Sequence, residues 1–161
     1  TVPGLLQTEE YARAMAVASS MGEASDIDRR VEARMLRKNV FNRSDPPAFW
    51  AVIDEAALLH IPPSLKGQLE YLVEVSHRPT IGIQVLPVSG GLHAAMTGHF
   101  VLLEFPDADP PVVYLEAVSE EIYLESPEQV RRYTRVFDFV QASALSVEES
   151  RELIRNRLSS L

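Results

Sequence analysis

Phe49-Trp50-Ala51-Val52-Ile53 and Ile81-Gly82-Ile83-Gln84-Val85-Leu86 are two short apolar runs. Between them Pro62-Pro63-Ser64 opens a stripe of Leu65, Leu69, Leu72 and Ser76. The runs are too short for buried helices and rich in β-branched and aromatic residues, so both read as strands. The first follows a break at Ser44-Asp45-Pro46-Pro47; Pro79 stops the helix before the second. A strand joined to the next through a helix favours a parallel pair, with a right-handed crossover if both share one sheet.

Upstream, Thr8 is a suitable N-cap, and Glu9 and Glu10 suit the first turn of a helix running through about Ser19 and closed by Met21-Gly22. A second, weakly amphipathic helix starts at Ser25 or Asp26 and runs to about Asn42, with Ile27, Val31 and Met35 on one side. Downstream come three further strands, His99 to Phe105, Val112 to Val118 and Glu121 to Glu125. The breaks between them, Asp107-Ala108-Asp109-Pro110-Pro111 and Ser119-Glu120, are short enough for antiparallel hairpins. Two closing helices carry capping boxes, Ser126-Pro127-Glu128-Gln129 and Ser146-Val147-Glu148-Glu149. Their core stripes are Val130, Tyr133, Phe137, Val140 and Ala144, then Val147, Ile154, Leu158 and Leu161. The expected fold is α+β: a five-stranded mixed, mainly antiparallel sheet with about five helices packed on it, in one domain spanning 1–161.

The composition is that of a globular chain, with 46% hydrophobic and 24% charged residues in 161. No apolar stretch approaches the length of a membrane span, and no export signal precedes the first helix. Cysteine is absent, which removes disulfides, thiolate catalysis and Cys-based zinc sites together and suits a reducing cytoplasm. The net charge of −8 opposes direct binding to nucleic-acid phosphates. Its distribution is uneven. No Lys or Arg lies between Pro79 and Val130, where Glu104, Asp107, Asp109, Glu116, Glu120, Glu121, Glu125 and Glu128 fall; Arg29, Arg30, Arg34, Arg37, Lys38 and Arg43 cluster near the second helix. Such asymmetry suits attraction within the fold or toward partners.

Asp54, Glu55 and Glu116 lie in or just after strands, where a carboxylate could serve as general acid or base; the commoner outcome is a strand cap or a solvated face. His93 and His99 flank a loop without the regular spacing of metal ligands, so backbone hydrogen bonding is preferred and neither metal nor cofactor is expected. That loop, residues 88–98, is long for a strand connection, and Leu92 and Met96 suit an apolar ligand or a protein partner. Its glycines match no phosphate-binding pattern, and no nucleophile elbow exists anywhere in the chain. The helix bearing Arg30, Arg34, Arg37 and Lys38 offers a partner-binding face, against a simpler reading as a solvated or acid-paired one.

The opening Val2-Pro3-Gly4-Leu5-Leu6-Gln7-Thr8-Glu9-Glu10-Tyr11-Ala12 resembles the PGLLQT run of an uncharacterised, antitoxin-like C-terminal domain. That domain follows the helix-turn-helix of actinobacterial Xre-type transcription regulators. The similarity continues through Arg34-x-x-Arg37, Asp54-Glu55-Ala56-x-Leu58, Gln68-Leu69, Gln84-Val85-Leu86-Pro87, Gly91-x-His93, Gly98-x-Phe100, Tyr114-x-Glu116 and Ser146-x-Glu148-Glu149-Ser150. Lys38 stands where that pattern has Gln. The resemblance implies a sensing or interaction module that is not an enzyme. It would reach DNA only through a helix-turn-helix ahead of Thr1, and would dimerise or bind a small protein encoded by a neighbouring gene. The absence of an initiator Met at Thr1 fits a piece of something longer. The loop and its surroundings, Gly91, His93, Gly98, Glu55, Tyr114 and Glu116, are the candidate ligand or partner site. Two alternatives stand beside this one: a small-molecule sensor with a pocket between sheet and helices, and a carboxylate- and His-dependent hydrolase using Glu55 or Glu116 near His93.

Overall fold

The two apolar runs pair in parallel as the sequence predicts. The computed structural model describes residues 1–19, 24–106, 109–116 and 121–161, the side chains of residues 95 and 97 aside. Strands β1 (Phe49–Asp54) and β2 (Ile81–Leu86) run side by side, with Phe49 opposite Ile81 and Asp54 opposite Leu86. They belong to a compact unit made of Thr1–Val88 and Leu145–Leu161; Ser89–Ala144 forms a second unit.

The first unit holds helices α1 (Glu9–Ala18), α2 (Ala24–Lys38), α3 (Glu55–Leu59), α4 (Gly67–Val75) and α6 (Val147–Ser159). The Thr8 Oγ1 accepts from the Tyr11 N–H, which starts α1 where the sequence places it. Around Asn39–Asn42 the second helix tightens into a 3-10 turn. Leu6, Ile53, Leu58, Leu69, Leu72, Ile83, Val85 and Ile154 form one buried cluster, each contributing about 1.5–3 kcal/mol by leaving water. Trp50 lies across Gly82: a Cβ on that glycine would come within 2.4 Å of the indole ring.

Helix α3 is an addition to the sequence reading. Asp54 caps it by accepting from the Ala56 N–H at 2.8 Å, so a residue read as strand end or acid is a helix start. Ser146 and Glu149 form the predicted capping box on α6. The box at Ser126 does not form: helix α5 (Pro127–Ser143) begins there with Pro127 in its first turn, but the serine side chain makes no cap bond.

The five strands do not form one sheet. Outside β2, the Leu145 N–H bonds the Val85 carbonyl at 2.9 Å, and the Val85 N–H donates to Ser150 Oγ at 2.8 Å. The Gln84 side chain donates to the Leu145 carbonyl at 2.7 Å and accepts from Trp50 Nε1 at 2.8 Å. The start of α6 thus occupies the β2 edge where a third strand would pair.

The second unit has its own three-stranded antiparallel sheet, β3 (Val101–Leu103), β4 (Val112–Glu116) and β5 (Glu121–Leu124), with α5 packed on β4. Val113, Val130 and Val140 are its buried aliphatic side chains among the described residues. Phe100 meets Tyr133 of α5 edge-to-face, centroids 5.0 Å apart. The Met21-Gly22 helix stop, Asp107-Ala108, and the Val118 strand end with its Ser119-Glu120 turn lie outside the described residues.

Candidate functional site

In the basic helix, Arg34 and Lys38 are both occupied within the first unit. Arg34 Nη1 donates to Gln7 Oε1 at 2.6 Å, and Lys38 Nζ donates to the Gln7 carbonyl at 2.7 Å. Gln7 Nε2 in turn donates to the Val2 carbonyl at 2.7 Å. From α4, Gln68 grips the same segment: its Nε2 donates to the Leu6 carbonyl at 2.7 Å, and its Oε1 accepts from the Thr8 N–H at 2.8 Å. Lys38 also sits 3.9 Å above the Tyr71 ring. Burial pushes the Lys38 ammonium down from its ordinary value, with Glu10 opposing and Arg78 adding to the fall.

The PGLLQT run is therefore a built part of the core. Val2–Thr8 carries backbone groups that no helix or strand satisfies; Gln7, Gln68 and Lys38 satisfy several of them, while Arg34 holds the Gln7 side chain. Gln68 is 1% exposed, so removing its amide would leave polar groups buried without partners. Its neighbours in the Leu65–Ser76 stripe gave no sign of this role; a glutamine on the apolar face of α4 was the available signal. Arg30 and Arg37 lie exposed on α2, and Arg37 lines a surface groove with Leu5, Leu36 and Arg43.

Glu55 is held in the first unit as well. Its Oε2 accepts from the Val88 N–H at 2.9 Å, which fixes the chain as it leaves β2. This is a positioning role. Arg151 of α6 supplies a comparable fastening, donating to the Ser76 hydroxyl at 2.8 Å and carbonyl at 2.9 Å while pairing with Glu148.

The other candidates belong to the second unit. Gly91 has φ 76° and Gly98 φ 141°, and nothing lies within 4 Å of a Cβ at either, so their requirement is conformational rather than spatial. Between them His93 is half-buried, whereas Leu92 and Met96 stand out in solvent at 91% and 60% exposure. Tyr114 rests against Tyr123, centroids 5.1 Å apart, and His99 Nε2 is 4.0 Å from Glu116 Oε2. Burial pushes the Tyr114 phenol up, and the charges of Glu116 and Glu121 add to the rise. Both His99 and Glu116 are largely exposed. Among the described residues no three His, Asp or Glu side chains gather as a metal site requires, and no helix is long and apolar enough to cross a membrane.

The candidates thus fall into two groups. Arg34, Lys38 and Glu55 fasten the first unit, while the loop, Tyr114 and Glu116 lie at the surface of the second. No curated protein and no solved structure matches the chain. Residues 1–156 match the model of the family described as Domain of unknown function (DUF5753), and the chain belongs to that family.

Proposed function

We propose that this chain is the sensing and interaction half of a DNA-binding transcription regulator, and that it receives a protein partner on its second unit. The observation that carries the reading is the outward placement of large apolar side chains there: Leu92 and Met96 in the loop, and Phe139, 72% exposed, on α5. Apolar surface left in water is unfavourable, and side chains of this size held in solvent are available for contact. The similarity of the Val2–Thr8 run to the helix-turn-helix regulators supports the regulatory half of the reading. So does its fastening by Gln7, Gln68, Arg34 and Lys38, since a DNA-reading segment joined ahead of Thr1 would be tied to this core.

The test is operator binding by the full gene product, with and without the purified product of the adjacent reading frame. A partner that couples to DNA binding changes operator affinity by roughly 5–150-fold, the usual range for coupled sites. Equal affinity in both conditions contradicts the partner reading.

A further inference from the structure

The three-stranded sheet of the second unit has two unlike faces. Pairing places Leu102 opposite Val113 and Val113 opposite Leu124, a row whose centre, Val113, is fully buried. Phe100, two residues before Leu102, meets Tyr133 of α5, so α5 covers this side over Val113, while Ile122 at its end stays exposed. The other side carries the row Val101–Tyr114–Tyr123 and the pair Leu103–Val112. Tyr123 is 56% exposed there, and Val101 is exposed beside it.

The carboxylates dominate the charge of this outer face, with His99 4.0 Å from Glu116 as the neighbouring imidazole. Glu116 and Glu121 stand directly opposite each other across β4 and β5, both exposed. Like charges in that position destabilise a strand pair, and no Lys or Arg lies between Pro79 and Val130 to relieve them. Between Ser89 and Ala144 nine acidic residues face three basic ones, all three on α5. A second copy docked through the same face would bring the same carboxylates against these.

We infer that this outer face docks a cationic amphipathic helix of a partner protein, its apolar side on Val101, Tyr114 and Tyr123 and its lysines or arginines against Glu116 and Glu121. The arrangement adds a second helical layer to a sheet that has one. Opposite charge steers the encounter and selects the partner, and the tyrosines supply a rigid apolar contact. The inference rests on the partner-binding reading above and adds to it a surface of its own, on the side of the sheet away from α5 and Phe139.

The probe is a fluorescein-labelled helical peptide with leucines on one side and lysines on the other, titrated against the intact chain by anisotropy. A peptide with every lysine replaced by glutamate is the control. The lysine peptide binds at least about tenfold more tightly than the control, and weakens as salt screens the carboxylates. Tyr123→Ser and Glu121→Lys each reduce its affinity by about tenfold. Glu121→Gln also reduces binding while raising the melting temperature slightly, because it removes one member of a repelling pair. Equal binding of the two peptides, or variants that bind like the parent, overturns the inference. So does sedimentation that finds a dimer dissociated by Tyr123→Ser, which would make the occupant a second copy. Partner-dependent operator affinity that survives Tyr123→Ser and Glu121→Lys leaves the regulatory reading standing and overturns only this surface.

Discussion

Strand β2 and strand β5 illustrate two ways of using apolar residues. Every residue of Ile81–Leu86 is buried, and its outer edge is satisfied by Leu145 and Ser150. In Glu121–Leu124 the first three residues are exposed, Ile122 and Tyr123 among them. The same contrast separates the units. The first gathers a large buried cluster and fastens its irregular backbone with buried amides, although Val17, Leu36, Trp50, Leu59 and Val88 stand exposed on it; the second holds few buried aliphatics and leaves Leu92, Met96 and Phe139 in solvent. On the function proposed above, stability rests mainly on the first unit and contact on the second, and substitutions should sort accordingly.

The largest expected loss is in the first core. Leu72→Ala removes a fully buried side chain and should lower unfolding free energy by about 2–5 kcal/mol, read from urea titration. Gln68→Leu preserves apolar bulk but strips partners from the Leu6 carbonyl and the Thr8 N–H. A loss of about 2–3 kcal/mol is expected, and a neutral result would show that the PGLLQT run is not held from α4. Gly82→Ala drives a methyl into the Trp50 indole and should cost about 1–3 kcal/mol, with a change in Trp fluorescence because Trp50 must move.

Ser146→Ala should cost about 1 kcal/mol by uncapping α6. The same bond has a pH consequence. The Ser146 hydroxyl, then its backbone N–H, hold the Glu149 carboxyl below its ordinary value. A carboxyl lowered on folding stabilises above its unfolded range, and that contribution is lost as pH falls through the lowered folded value. Ser146→Ala should therefore flatten part of the acid dependence of stability, as seen in urea titrations run near neutrality and in acid. The smallest effect belongs to the second unit: Leu92→Ser should leave the melting temperature nearly unchanged, within about 0.5 kcal/mol in stability.

What the sequence disclosed was local. Two apolar runs, the Thr8 cap and the Ser146 capping box each express themselves within a few residues, and each is present; of the helix read from Pro62, Pro63–Leu65 form a 3-10 turn and α4 starts at Gly67. Helix α3 was hidden because five residues show too little periodicity and Asp54 serves both as strand end and as cap. The single sheet failed for a different reason. Strand edges look alike in sequence, and the occupant of the β2 edge arrives from residues 145 and 150. Side-chain roles were the least legible. Arg34 and Lys38 look like a solvated basic face until Gln7, far off in sequence, is brought beneath them by the fold. Tyr114 and Glu116 stand out by their motif, but only strand pairing sets Tyr123 and Glu121 beside them.

On the function proposed above, the exposed apolar residues of the second unit serve contact and not folding. The direct measurement takes the full gene product carrying Leu92→Ser together with Met96→Ser, and records its melting temperature and its partner-dependent operator affinity side by side. An unchanged melting temperature with the partner effect abolished is the predicted result. A lowered melting temperature with the partner effect intact would contradict it.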